Sequence, residues 1–166
     1  MDAVSLLQQD HKLVKQLFQE YDALPAAQPE RKRALAERII RELMVHERIE
    51  EEIFYPAFRA GADQEGKELV AESKEEHHVV DLILEELQSV DLDAEDFDAK
   101  FKVLKENVEH HIEEEETEMF PDAQKRMKTK LAALGDEMER YKMELAEQLD
   151  SKPAAPRSET QTQRRK

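Results

Sequence analysis

The sequence predicts an all-α protein: an up-down-up-down four-helix bundle with an additional C-terminal helix. Three observations carry that prediction. The 166 residues include only three Gly and no Trp, and 39% are charged; a chain so poor in Gly and rich in Glu, Lys, Leu and Ala favours helices over strands. Apolar residues recur at helical spacing in four successive segments, as they do when one face of a helix is buried. Short polar or Pro- and Gly-bearing stretches part those segments, so neighbouring helices pack antiparallel. The length is that of one domain with one core.

In the first segment Val4, Leu7, Val14, Phe18 and Tyr21 share a face, and His11 fills its one gap. Pro25 and Pro29 mark a loop. From about Glu30 a second helix aligns Ile39, Leu43, Ile53 and Ala57, with His46 and Glu50 on the same stripe. The run Arg59-Ala60-Gly61-Ala62-Asp63 ends it. A third helix aligns Val70, Val80, Leu84 and Leu87 around His77, and Asp91-Leu92-Asp93 forms a polar link. The fourth aligns Phe97, Phe101, Leu104, Val108 and Met119 with His111 and Glu115, until Pro121 interrupts it. Residues 1–122 thus read as the bundle. Residues 123–150 read as an amphipathic helix through Met127, Leu131, Leu134, Met138, Tyr141 and Leu145, split near Gly135 with Asp136 and Glu139 capping a restart. Its heptad spacing suits docking on the bundle, or pairing with a second copy as a homodimer. Residues 151–166, with Pro153, Pro156 and a basic end, read as a disordered tail.

The informative fact is where the polar residues fall. His11, His46, Glu50, His77, His111 and Glu115 occupy positions that the periodicity assigns to the core. A buried carboxylate without a partner costs several kcal/mol, so it must be paired or bound to metal. His46 and Glu50 are one turn apart on one face, and His111 and Glu115 repeat that spacing. Each pair can offer an imidazole nitrogen and a carboxylate oxygen to one ion, and each carboxylate can reach across to a second. With no Cys in the chain, a metal must be held by imidazole and carboxylate, which suits iron, manganese, zinc or copper.

An internal repeat selects among the histidines. His46 to Pro56 resembles His111 to Pro121, with His, Glu, the aromatic and Pro in register, and Asp10-His11 aligns with Glu76-His77. His78 then pairs with Lys12 and His110 with Val45, which marks both as bystanders. Tyr21 and Tyr55 read as core aromatics, and Glu47 as a solvated surface residue.

An early Asp-His, a His-x-x-x-Glu-Glu ending in aromatic-Pro, a Glu-His and a second His-x-x-x-Glu-Glu with Phe-Pro resemble the hemerythrin HHE cation-binding domain over residues 2 to 122. That resemblance implies a hemerythrin-like bundle holding two Fe ions, an oxo- or hydroxo-bridged pair, with Mn or Zn as substitutes. Glu50 and Glu115 would bridge the ions, and His11, His46, His77 and His111 would cap them. Oxygen-carrying members have a further His one turn before the third-helix ligand; Ser73 stands there. Its absence leaves a coordination position open, which fits binding or sensing of O2, NO, H2O2 or iron better than oxygen transport. The alternatives are a di-iron peroxidase- or oxidase-like enzyme, and a metal-free or zinc-binding structural bundle. Because ligating imidazoles must be neutral, metal is expected to leave below about pH 6.

The formal charge of −15 excludes nucleic acid as the main partner. No apolar run is long enough to span a membrane, and the amino terminus lacks a leader pattern, so the expected location is cytoplasmic.

Overall fold

In the computed structural model residues 1–25, 27–89 and 95–151 are described. The polar link at Asp91-Leu92-Asp93 and the tail beyond Ser151 lie outside the described residues.

Helix α1 spans Ala3–Ala23. The Asp2 carboxylate caps it, accepting from the Ser5 N–H at 3.1 Å and the Ser5 hydroxyl at 2.7 Å, which satisfies donors the first turn would leave open. Helix α2 spans Pro29–Ile49, with Pro in the first turn, where a missing N–H costs nothing. It continues through a π-turn, Glu50–Phe54, into α3, Tyr55–Gly61. Helix α4 is Gln64–Ser89. Helix α5, Glu95–Glu114, passes through a second π-turn, Glu115–Met119, into α6, Phe120–Arg126. Helix α7 is Leu131–Ser151.

Pro121 was expected to interrupt the fourth helix, and it does not. A helical proline donates no hydrogen bond, and its ring collides with the carbonyl four residues back. A π-turn widens the helix by one residue and relieves that collision. Tyr55 N–H bonds the Glu50 carbonyl and Phe120 N–H bonds the Glu115 carbonyl, so both rods run on through Pro56 and Pro121. The extra residue also rotates the buried face. Ile53 and Ala57, expected on that face, are only partly buried, and Phe54, Tyr55 and Phe58 take the core instead.

The four rods α1, α2–α3, α4 and α5–α6 form an up-down-up-down bundle, and α7 lies against α1 and α2. Helix α7 runs unbroken through Gly135, contrary to the expected split. Gly135 serves a close approach instead: a Cβ there would stand 2.1 Å from the Met1 carbonyl oxygen. One apolar cluster, with Leu7, Phe54, Phe58, Phe120, Met138 and Leu145, fills one end of the molecule. Another, with Phe18, Leu43, Leu84, Phe97 and Phe101, fills the other. Among the described residues no helix is long and apolar enough to cross a membrane.

Candidate metal centre

Between the two apolar clusters lies a polar layer. His11 comes from α1, His46 from α2 and Glu50 from the turn that follows it. His77 comes from α4, His111 from α5 and Glu115 from the second π-turn. All six are buried, and Glu50 is 0% exposed. They meet as two overlapping groups, His11–His46–Glu50–Glu115 and Glu50–His77–His111, in which the donor atoms lie within 4.8 Å of one another. His78 and His110 point outward and are exposed.

The imidazoles face each other in pairs, His11 Nε2 to His46 Nε2 at 3.1 Å and His77 Nε2 to His111 Nε2 at 3.0 Å. Carboxylate oxygens surround them. Glu50 Oε1 is 3.2 Å from His46 Nε2, and Glu50 Oε2 is 3.4 Å from His77 Nε2. Glu115 Oε2 is 3.3 Å from His11 Nε2 and 3.5 Å from His111 Nε2. Yet both oxygens of Glu50 and Oε2 of Glu115 have no hydrogen-bond partner among the described residues. Buried polar atoms are nearly always satisfied. Here nitrogen and oxygen donors converge on common points, where a cation would satisfy them. The residues fit a metal.

Three of the four outer nitrogens are also held. His11 Nδ1 meets Glu116 Oε1 at 2.9 Å, His77 Nδ1 meets Glu51 Oε1 at 3.1 Å, and His111 Nδ1 meets Glu76 Oε2 at 2.7 Å. His46 Nδ1 stands 3.6 Å from Asp10 Oδ2, and Asp10 is itself paired with Lys142 of α7. A carboxylate hydrogen-bonded behind an imidazole fixes the ring and raises its basicity. The sequence displayed these four as the first letters of the Asp-His and Glu-His doublets and the second letters of the two Glu-Glu doublets, but nothing in the spacing revealed which imidazole each would reach.

The electrostatics follow from that arrangement. Burial pushes the His11 imidazole down, but Glu115 and Glu116 outweigh it and raise it to about 9. His77 is likewise raised: Glu50 and Glu51 overcome its burial. Burial opposes the Glu115 carboxylate, yet His111 and His11 hold it well below the usual range. Glu51, Glu76 and Glu116 are lowered by their hydrogen bonds to His77, His111 and His11.

Glu47 departs from expectation, whereas Tyr55 and Tyr21 are core residues as expected. Glu47 is 7% exposed rather than solvated, and burial, with Asp81 and Glu50 nearby, raises its carboxyl well above the ordinary value. It lines a water-sized cavity beside His11, His46, His77 and His111, closed by Val14, Leu43, Val80, Val108 and Ile112. It also lines an open cleft with Arg48, Glu51 and Asp81. Tyr55 stacks on His77, ring centres 5.5 Å apart, while its repeat counterpart Phe120 stacks on His11 at 5.5 Å. Tyr21 is a core residue at the far end, bonded to Asp98 at 3.1 Å.

The sequence pattern of the Hemerythrin HHE cation binding domain matches residues 2–123. The chain belongs to the hemerythrin HHE cation-binding family. This HHE chain is 29% identical over 121 residues to an uncharacterized protein of Mycobacterium tuberculosis, covering 73% of this chain and 71% of the relative. It is 33% identical over 86 residues to an uncharacterized hemerythrin-like protein of Schizosaccharomyces pombe, covering 52% of this chain and 42% of that one. A crystal structure of an HHE cation-binding domain-containing protein from Mycobacterium kansasii superposes with a TM-score of 0.76 at 26% identity, covering 92% of this chain and 94% of that chain. The hemerythrin-like HHE bundle here carries His and Glu clusters compatible with cation binding.

Proposed function

We propose that the chain holds a pair of iron ions between its two halves and binds or senses a small molecule such as O2, NO or H2O2. His11 and His46 would hold one ion, His77 and His111 the other, with Glu50 and Glu115 reaching both. The observation that carries this reading is the orphaned set of buried oxygens, Glu50 Oε1 and Oε2 and Glu115 Oε2, facing paired imidazole nitrogens. Iron bound there would supply an exchangeable coordination position and one-electron chemistry. The protein's own residues set the terms. Glu116, Glu51 and Glu76 orient three of the rings by hydrogen bonds, and Asp10 faces the fourth. Val14, Leu43, Val80, Val108 and Ile112 exclude bulk water from the cavity beside them. That cavity has room for about one water, which favours a diatomic or peroxide over an organic substrate and a binding role over an enzyme.

Elemental analysis of anaerobically purified protein, with optical spectra before and after admitting air, tests this reading. Two irons per chain and a near-ultraviolet band that develops in air are expected. Glu50→Ala should lose the metal, whereas the exposed His78→Ala should keep it. A protein that carries only zinc and ignores oxygen, or a Glu50→Ala variant with full iron, sinks the proposal.

A further inference from the structure

The outer nitrogens of the imidazoles are not treated alike. Glu76 Oε2 reaches His111 Nδ1 at 2.7 Å, but its repeat counterpart Asp10, one methylene shorter, stops with Oδ2 at 3.6 Å from His46 Nδ1. That separation is too long for a hydrogen bond. Both facing atoms are buried, and neither has a hydrogen-bond partner among the described residues. The other oxygen of Asp10, Oδ1, takes Lys142 of α7. We propose that Lys142 is a positioning residue for the metal centre: through Asp10 it sets the His46 ring, so that the docking of α7 and the filling of the first metal position are coupled. The proposal deepens the two-metal reading above, by naming what regulates one of its positions, and rests on it.

The plain alternative is an ion pair that only pins α7 to the bundle. Three observations argue against it. First, the carboxylate is badly placed for mere docking: Asp10 is 7% exposed and adjoins His11 in the chain, whereas Tyr141 of the same helix pairs with the exposed Glu52 at 2.7 Å. Second, the division of one carboxylate between an outer lysine and an inner imidazole recurs. Glu116 gives Oε1 to His11 at 2.9 Å and Oε2 to Lys15 at 3.5 Å. Third, buried polar atoms are nearly always satisfied, and Asp10 Oδ2 and His46 Nδ1 face each other across a gap that a small shift closes. Lys142 itself lies beyond residues 2–123, so this hold on the centre comes with the added helix.

A neutral imidazole carries one hydrogen. His46 Nε2 faces His11 Nε2 at 3.1 Å, so the hydrogen of His46 can lie on that side and leave Nδ1 bare. When Nε2 binds a cation the hydrogen sits on Nδ1, and the orphaned nitrogen becomes a donor aimed at Asp10 Oδ2. Closing the gap pulls on Asp10, which Lys142 holds from behind. A docked α7 therefore keeps the acceptor within reach of His46, and a filled first position gives α7 a firmer anchor. Coupling of this kind is reciprocal.

Iron(II) added under argon to the full chain, followed by chelator competition and hydrogen exchange, tests the coupling. Lys142→Met keeps the aliphatic stem and should weaken iron binding by about tenfold, while Lys142→Arg should recover most of the loss. Asp10→Asn should lose about as much, and adding Lys142→Met to it should lose nothing further, because one acts through the other. Tyr141→Phe, which frees α7 at another point, should bind iron as the natural chain does. Iron should also slow amide exchange in α7 of the natural chain, and much less in Lys142→Met. Circular dichroism of the metal-free variants checks their fold, and exchange in the natural chain needs no variant at all. Penalties that multiply in the double variant, natural affinity in Lys142→Met, an equal loss in Tyr141→Phe, or α7 exchange indifferent to iron would each overturn this inference and leave the two-metal reading standing. A chain that takes up no iron overturns both.

Discussion

Each imidazole in the centre has two nitrogens with different duties: one faces the converging donors and the other a carboxylate. Replacing the carboxylate by an amide keeps the shape and removes the charge. Glu116→Gln is therefore expected to leave the fold intact and weaken metal binding by about 10–100-fold. Glu113→Gln, on the exposed face of the same rod, should change nothing. Chelator competition measures both, and equal affinities would remove the carboxylate from the account. At this scale the sequence was half legible. His11, His46, Glu50, His77, His111 and Glu115 stood out because polar residues on an apolar stripe demand a reason. Glu47 did not, because its neighbour Asp81 and the fit of α4 around it are facts of three dimensions. The contacts of Tyr55 did not either: an aromatic beside an apolar run reads as packing, and only the fold brings its hydroxyl to His77, His111 and Glu115.

At the scale of elements, helices were legible wherever the period held and lost where it changed. The stripe through Val14, Phe18 and Tyr21, or Phe97, Phe101 and Leu104, is buried as the spacing predicts. The π-turns add a residue, and the stripe beyond them shifts from Ile53 and Ala57 to Phe54, Tyr55 and Phe58. A proline in a helical pattern signals a kink, a break or a wider turn without saying which. Gly135 was misread for the same reason, since a glycine marks a break or a close approach equally well. The close approach makes a test. In Gly135→Ala the new Cβ meets the backbone of Met1, Asp2 and Ala3, which cannot yield as a flexible side chain would. Overpacking of this kind costs about 1–3 kcal/mol, a fall of about 2–4 °C in Tm per kcal/mol for a domain of this size. Hydrogen exchange should rise in α7, with its Lys142–Asp10 pair loosened. Unchanged Tm and exchange would show that α7 does not depend on that contact.

For the whole molecule, protons and metal compete for the same buried centre. His11 is raised from an ordinary 6.5 to about 9 and His77 is raised in the same sense, so their contribution to folding is full below about pH 6.5 and fades as pH climbs through 9. Glu51, Glu76 and Glu116 are depressed, so theirs is present above the usual carboxylate range and fades below it. The metal-free protein should be most stable near pH 5 to 6.5, and its Tm should fall towards pH 9. Metal affinity should move the opposite way, because the cation must displace those protons; its loss on acidification begins above the pH of about 6 that ordinary imidazoles would give. Thermal unfolding at pH 6.5 and 9, with and without metal, checks both trends, and a metal-free Tm that rises with pH contradicts the first. The match between halves carries a different consequence. Two identical half-length chains, paired about a true twofold axis, would carry a phenol on both sides of the polar layer or on neither. Carried in one chain, the two halves are free to differ at Tyr55 and Phe120, so one side of the centre can change its surroundings while the other keeps its own.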